Sequence, residues 1–336
     1  MKILISSHAF APSIGGIETV SELLADEFVR LGHEVSLLTQ TPAGEEISNN
    51  YPVIRRPSFA EVCRALSWSD VFWHNNLSLR TLWPTMFVRR PVVITHQGSY
   101  CRKPSGLDLQ QRVKHATVNR YFSVAVSKAV ADCFQNQSVI IPNPYNCKVF
   151  RPSPGVVERD LDLVYLGRLV SEKGVDLLLR SLGRLKADQL SPCLTIIGTG
   201  PEQDRLEDMT VEFGLEKQVT FAGPLQGAPL AAMLQRHKIL VVPSLYDEPF
   251  GVVALEGIAS GCVVVGSNRG GLPEAIGLCG LTFANGKVEE LTEILAHLLR
   301  RPEACEHLRA NAPAHLANFR VEAIAQKYLT LFQDLL

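Results

Sequence analysis

Short apolar runs alternate with amphipathic helical stretches along almost the whole chain, and this alternation limits the fold more than any other feature. Ile3-Leu4-Ile5 reads as a buried strand, and over residues 19–31 Val20, Leu23, Leu24, Phe28 and Leu31 share one helix face. Gly32-His33 stops that helix, and the next strand is expected at 34–38. Further strands are expected at 71–73, 92–95, 121–126 and 139–141. Strand, helix, strand at this spacing implies a parallel sheet covered by helices on both faces.

The pattern breaks at Arg151-Pro152-Ser153-Pro154-Gly155, which reads as a linker, and then restarts. Strands are expected at 163–167, 194–198, 219–221, 239–242 and 263–265, with a helix at 175–185. Single cores stop growing at roughly 250–300 residues, and this chain has 336. The expected fold class is therefore α/β, with two doubly wound, Rossmann-like domains facing each other across an interdomain cleft. The expected division is 1–152, 153–317 and a terminal helical segment, 318–336, carrying Ile324, Tyr328, Leu331, Phe332 and Leu335. Ligands of such sheets lie beyond the carboxyl ends of the strands, so the chemistry should line the cleft.

Composition narrows the class. The chain carries 33 Lys+Arg against 34 Asp+Glu, with 46% hydrophobic and 20% charged residues. That balance excludes intrinsic disorder, collagen-like repeats and a coat of nucleic acid over the whole chain. The eight cysteines include no C-x-x-C, so zinc-ribbon spacing is absent, and they read as buried thiols in a reducing compartment, with disulfides as the alternative. The apolar run after Lys2 is too short for a signal peptide, and no stretch reaches the roughly 18 apolar residues of a spanning helix. A cytoplasmic protein is expected, with docking on a membrane face left open.

Four segments carry residues suited to chemistry. Gly15-Gly16-Ile17-Glu18 opens a helix after a strand and loop, where unpaired N–H groups and the positive dipole end suit a phosphate; a plain helix-entry turn explains the same residues. Gly167 to Gly174 places Arg168 and Lys173 after a strand end, an arginine fork and a lysine point charge fit for a pyrophosphate, or else two solvated cations. Gly198-Thr199-Gly200-Pro201-Glu202 resembles a dinucleotide turn but lacks the third glycine of G-x-G-x-x-G. In the fourth, a strand ends at Pro243 and a helix is expected from Pro249, placing Glu248 just before it and Glu256 about two turns in. The N–H groups of Phe250, Gly251 and Val252 beside the Glu248 carboxylate can hold sugar hydroxyls from both sides. The bland alternatives are a dipole-stabilised acid for Glu248 and a solvated helix position for Glu256.

Taken in order, these segments resemble the family 4 retaining glycosyltransferases of the GT-B fold over nearly the whole chain. The resemblance rests on Gly15-Gly16-Ile17-Glu18, Val126-Ser127-Lys128 with Ile141-Pro142-Asn143-Pro144, Gly167-Arg168 with Glu172-Lys173-Gly174, and Gly198 to Glu202 before Phe221-Ala222-Gly223. It is completed by the E-x₇-E pair Glu248 and Glu256 and by Gly270-Gly271-Leu272-Pro273-Glu274. The resemblance implies that Glu248 contacts the donor sugar near the transferring carbon, that Glu256 binds the ribose, and that Arg168 and Lys173 neutralise the diphosphate. It implies that Gly15 and Gly16 close on the phosphate, that Gly198, Phe250, Gly251 and Val252 help bind the donor, and that His96 contacts the sugar. Where many members have His-Asp, this chain has His96-Gln97; read without the family, His96 is a strand-end histidine bonded to backbone. The final helix is expected to return to the first domain.

The implied reaction moves a sugar, with retention, from a UDP- or GDP-sugar to a hydroxyl acceptor in glycolipid, polysaccharide or glycoconjugate synthesis. No cofactor and no metal is expected. The one D-x-D, Asp160-Leu161-Asp162, precedes a strand and lies at the wrong edge for a metal at the ligand cleft. The alternatives are a nucleotide-sugar epimerase and a non-catalytic nucleotide-sugar-binding subunit. Residues 51–128 hold 12 Lys+Arg against Glu61, Asp70 and Asp108. Such a field suits an anionic or lipid-linked acceptor, or peripheral contact with the inner face of a membrane, with a solvated face as the plain reading. The mixed basic and apolar stretch from Arg102 to Arg120 would suit an interfacial helix.

Overall fold

The computed structural model describes the chain apart from residues 14, 43–48, 99–111, 113–115, 117–119, 135–137 and 153–158. The expected interfacial helix at 102–120 and the core of the Pro/Gly-rich linker lie mostly outside the described residues. The chain divides into two compact units, Met1–Pro144 with Phe319–Leu336, and Tyr145–Asn318. The division falls upstream of the Pro/Gly-rich stretch. Phe150 is buried, and Gln235 Nε2 donates to Arg151 O at 2.9 Å, which ties this segment to the second unit.

In the first unit seven parallel strands run β1 (Lys2–Ser7), β2 (Glu34–Thr39), β3 (Val53–Arg55), β4 (Val71–Asn75), β5 (Val92–His96), β6 (Phe122–Ala125) and β7 (Val139–Ile140), in the spatial order β3-β2-β1-β4-β5-β6-β7. The strands are apolar on both faces because both are covered. On one face helix Gly16–Arg30 and the C-terminal helix Val321–Asp334 pack over Ile3, Ile5, Trp73 and Val93. Thr95 Oγ1 accepts from Trp73 Nε1 and pairs with Tyr328 Oη, both at 2.8 Å, so the last helix is locked to the sheet by buried polar contacts as well as by packing. On the other face helix Phe59–Trp68 covers Leu4, Leu38, Phe72 and Ile94. Ser58 and Glu61 close a full capping box at its start.

The second unit repeats the order with six parallel strands: β8 (Leu161–Leu166), β9 (Leu194–Ile197), β10 (Val219–Gly223), β11 (His237–Val242), β12 (Val263–Ser267) and β13 (Gly280–Phe283), arranged β10-β9-β8-β11-β12-β13. Each sheet thus has the doubly wound order 3-2-1-4-5-6 at its centre, with a switch point between its first and fourth strands. This is the two-domain Rossmann-like architecture expected from the alternation. Asp160 pairs with Arg236, and Asp162 with Lys238 at 2.7 Å, at the amino end of β8, so the D-x-D holds neighbouring strands together. Six described cysteines are free thiols and Cys133 is disulfide-bonded, which corrects the reading of all eight as thiols.

Candidate active site

The second unit concentrates its charged candidates at its switch point. The turn Ser171–Lys173 follows β8 and ends at Gly174, whose φ of +68° opens helix Val175–Ala187. A side chain at Gly174 would collide with Pro243 O, so glycine permits both the left-handed turn and the close passage of the segment after β11. Glu172 O then accepts from the N–H groups of Leu245 and Tyr246 at 2.9 and 3.1 Å. These contacts clamp the loop after β8 to the loop after β11.

The clamp brings two separately identified motifs together. Lys173 Nζ meets Glu248 Oε1 at 2.6 Å, and Ser244 Oγ donates to the same oxygen at 2.6 Å. Glu248 is buried, with 8% of its surface exposed, so this carboxylate needs such partners. Glu248 O also accepts from Gly271 N at 2.7 Å, which ties the loop to Gly270-Gly271-Leu272. Lys173 keeps two further N–H donors for other acceptors. Arg168 lies exposed on the same loop.

The helix after this loop starts later than its sequence suggests. It spans Val252–Ala259, because Gly251 sits at φ +104° and breaks helical geometry before it. Glu256 is consequently about one turn in, not two, as a correction to the expected register. No side chain caps the start of this helix among the described residues. Phe250 is buried beneath it. Burial pushes the Glu256 carboxyl up to about 7. No side-chain hydrogen bond to it occurs among the described residues. Gly198 sits where Gly167 O passes over it, so close loop packing also explains that glycine.

The first unit ties its switch point together with neutral amides and hydroxyls. Helix Gly16–Arg30 starts at Gly15 without a side-chain cap, and Glu18 lies against Gly15 in the first turn. Asn75, at the end of β4, donates through Nδ2 to Ser21 Oγ at 2.7 Å and Ile17 O at 3.1 Å. Ser21 Oγ donates to Ser7 Oγ at 2.8 Å at the end of β1. Gln97 Nε2 donates to Asn75 Oδ1 and Asn143 Oδ1, both at 2.8 Å, and Asn143 Nδ2 donates back to Gln97 Oε1 at 2.7 Å. One amide–hydroxyl network therefore holds the glycine loop's helix against the ends of β1, β4 and β5. His96, expected to face a sugar, is buried, with its ring 4.4 Å from that of Phe134 and Nε2 3.3 Å from Ser123 Oγ. One partner of the ring is thus a side-chain hydroxyl.

Asn75, Ser21, Asn143 and Ser244 escaped the sequence reading. Asn143 lies within a quoted motif, but nothing in sequence shows that Gln97 reaches it. Ser244, four residues before Glu248, was the one readable signal.

Comparison with known proteins fits this architecture. The family model described as Glycosyl transferases group 1 matches residues 148–315. An uncharacterized glycosyltransferase of Methanocaldococcus jannaschii is 30% identical over 325 residues, covering 82% of this chain and 83% of the relative. The chain belongs to the group 1 glycosyl transferases. Glycogen synthase of Mycobacterium tuberculosis is 40% identical over 164 residues, 48% of this chain but only 38% of that enzyme. Among solved structures, Anabaena HepE in complex with UDP and glucose matches with a TM-score of 0.82 at 21% identity over 100% of both chains, a likeness of fold. A transferase is thereby favoured over an epimerase.

Proposed function

We propose that the chain is a family 4 retaining glycosyltransferase that moves a sugar from a UDP- or GDP-sugar to a hydroxyl acceptor. The observation that carries this reading is the junction of Lys173, Ser244 and Glu248 at the second unit's switch point. Breaking a nucleotide–sugar bond builds negative charge on the leaving phosphate and positive charge on the sugar ring. Fixed groups of opposite sign at each place lower the barrier. Arg168 and the two free donors of Lys173 serve the diphosphate, and Glu248 serves the sugar near the transferring carbon. The segment Phe250, Gly251 and Val252, at the uncapped start of the helix, serves the sugar hydroxyls. These protein cations take the place of a metal.

Glu256 accepts from the ribose hydroxyls. Those hydroxyls favour its ionised form, so donor binding releases a proton and tightens as pH rises through about 7. In the first unit this reading assigns donor contacts to Gly15, Gly16 and His96. The UDP complex of the Anabaena structure supports a nucleotide-sugar donor. The basic excess of residues 51–128 supports an anionic or lipid-linked acceptor.

The test is a panel of UDP-, GDP-, ADP- and TDP-sugars screened by thermal shift, then by donor hydrolysis. One donor should stabilise the protein by about 2.7 kcal/mol at roughly 100 times its Kd. Lys173→Ala and Glu248→Ala should each abolish most of its turnover. Unchanged turnover in both variants would refute the site.

A further inference from the structure

The segment between β4 and β5 has two apolar faces, and only one belongs to the core. Helix Leu79–Leu82 and the following turn Trp83–Met86 anchor inward through Thr81, Leu82, Pro84 and Thr85, all buried. Thr81 Oγ1 meets Ser6 Oγ at 2.7 Å, and Thr85 Oγ1 meets Tyr121 Oη at 3.0 Å. The opposite face of such a surface turn is normally polar. Here it carries Leu79, Trp83, Met86 and Phe87, and the last two are 71% and 68% exposed. Phe59 from the neighbouring helix stacks on Trp83 at 4.5 Å with rings 9° from parallel, and Phe87 stands edge-on to both at 5.9 Å. Three aromatic rings thus form one stacked outward cluster, with the exposed Leu79 and Met86 on the same short segment, the kind of patch that marks an interaction surface.

The charge around the cluster selects the partner. Residues 51–98 contain six arginines and only two acids, Glu61 and Asp70. Glu61 is engaged by Ser58 in the capping box, and Asp70 accepts from Lys2 N at 2.7 Å. Arg56, Arg64, Arg80, Arg89 and Arg90 are exposed. Arg80 directly follows Leu79, and Arg89 lies two residues after Phe87. Aromatic rings suit the boundary between headgroups and acyl chains, and flanking arginines suit anionic headgroups. We propose that the surface formed by Phe59, Leu79, Trp83, Met86 and Phe87, flanked in sequence by Arg80 and Arg89, docks the protein on an anionic phospholipid bilayer. This gives the expected peripheral contact a definite face, and it does not depend on the donor assignment.

The test is co-sedimentation of the full chain with phosphatidylglycerol-containing and pure phosphatidylcholine vesicles, at low and high salt. The wild type should bind the anionic vesicles at low salt and release them at high salt. Trp83→Ser combined with Phe87→Ser should weaken binding by more than about ten-fold, and Arg80→Glu and Arg89→Glu by roughly five-fold each. Trp83 emission should shift to the blue on binding. Donor hydrolysis and thermal midpoint of these variants should match the wild type, which separates this surface from the donor site and from misfolding. The proposal is overturned if the wild type ignores anionic vesicles at low salt. It is equally overturned if the aromatic variant binds as the wild type does, or if the patch instead mediates self-association that this variant abolishes while vesicle binding persists.

Discussion

The two units share one strand order and solve the same problem with opposite chemistry. Each must bridge its switch point, where the chain's two winding directions part. The first unit bridges it with amides and hydroxyls running from Asn75 through Ser21 to Ser7, extended by Gln97 and Asn143. The second bridges it with a short, largely buried ion pair, Lys173–Glu248, shared with Ser244. A neutral network fixes positions at little electrostatic cost. A buried ion pair gives weak net stability but stores charge where a charged substrate can redirect it. On the proposed function, this contrast corresponds to positioning in the first unit and charge stabilisation in the second.

The largest expected effect separates the two roles. Glu248→Gln or Lys173→Ala should lower kcat for donor hydrolysis by about 10²–10³, the usual cost of losing one group aimed at developing charge. Steady-state kinetics with the donor found in the panel would show it. Asn75→Ala, on the neutral side, should cost about 1–3 kcal/mol of stability by stranding Ser21 and Gln97, and should act mainly on KM. A kcat loss equal to that of Glu248→Gln would break the contrast.

Glu256 offers a pH test within the charged unit. Its folded carboxyl holds its proton up to about 7, against an ordinary value of 4.5 in the unfolded chain. The folded state therefore binds more protons between those values, and wild-type stability falls as pH rises through that window. Glu256→Gln removes this loss and should be more stable than wild type by about 3 kcal/mol above pH 7, with little difference below pH 4. Urea unfolding at several pH values measures it, and donor affinity should fall in the same variant.

The smallest effect lies in the neutral unit. His74 is fully buried beside Phe72, neither ring nitrogen has a hydrogen-bond partner among the described residues, and burial lowers its pKa to about 3. The unfolded chain takes up this proton near 6.5 while the folded chain resists it, so stability is lost as pH falls from about 6.5 toward 3. His74→Leu should add about 1 kcal/mol at neutral pH by removing a buried, unpaired polar group, and should flatten the acid side of the stability curve.

Much of this contrast was readable from sequence on the charged side and little on the neutral side. Lys173, Glu248 and Glu256 stand out because they follow apolar strands at the edge where ligands bind and match the E-x₇-E and Glu-Lys-Gly motifs of the resembled family. Asn75, Ser21 and Gln97 lie 54 and 22 residues apart through their shared contacts, and no local spacing links them. Central strands were legible because they are buried on both faces, whereas β3 and β13 are short and only partly buried edge strands and were missed. The helix onset at Val252 was misplaced because Pro249 suits a first helical position, yet the left-handed Gly251 delays the helix. The outward aromatic cluster at Phe59, Trp83 and Phe87 was hidden because the same spacing also describes a core-facing helix.

The most direct test of the central claim is a pair of binding titrations with the free nucleoside diphosphate of the preferred donor, set beside donor hydrolysis. The account predicts that Lys173→Ala weakens nucleotide binding by about ten-fold or more, that Glu248→Gln leaves it nearly unchanged, and that both lose hydrolysis. Unchanged nucleotide affinity in Lys173→Ala, together with wild-type hydrolysis in Glu248→Gln, would contradict it.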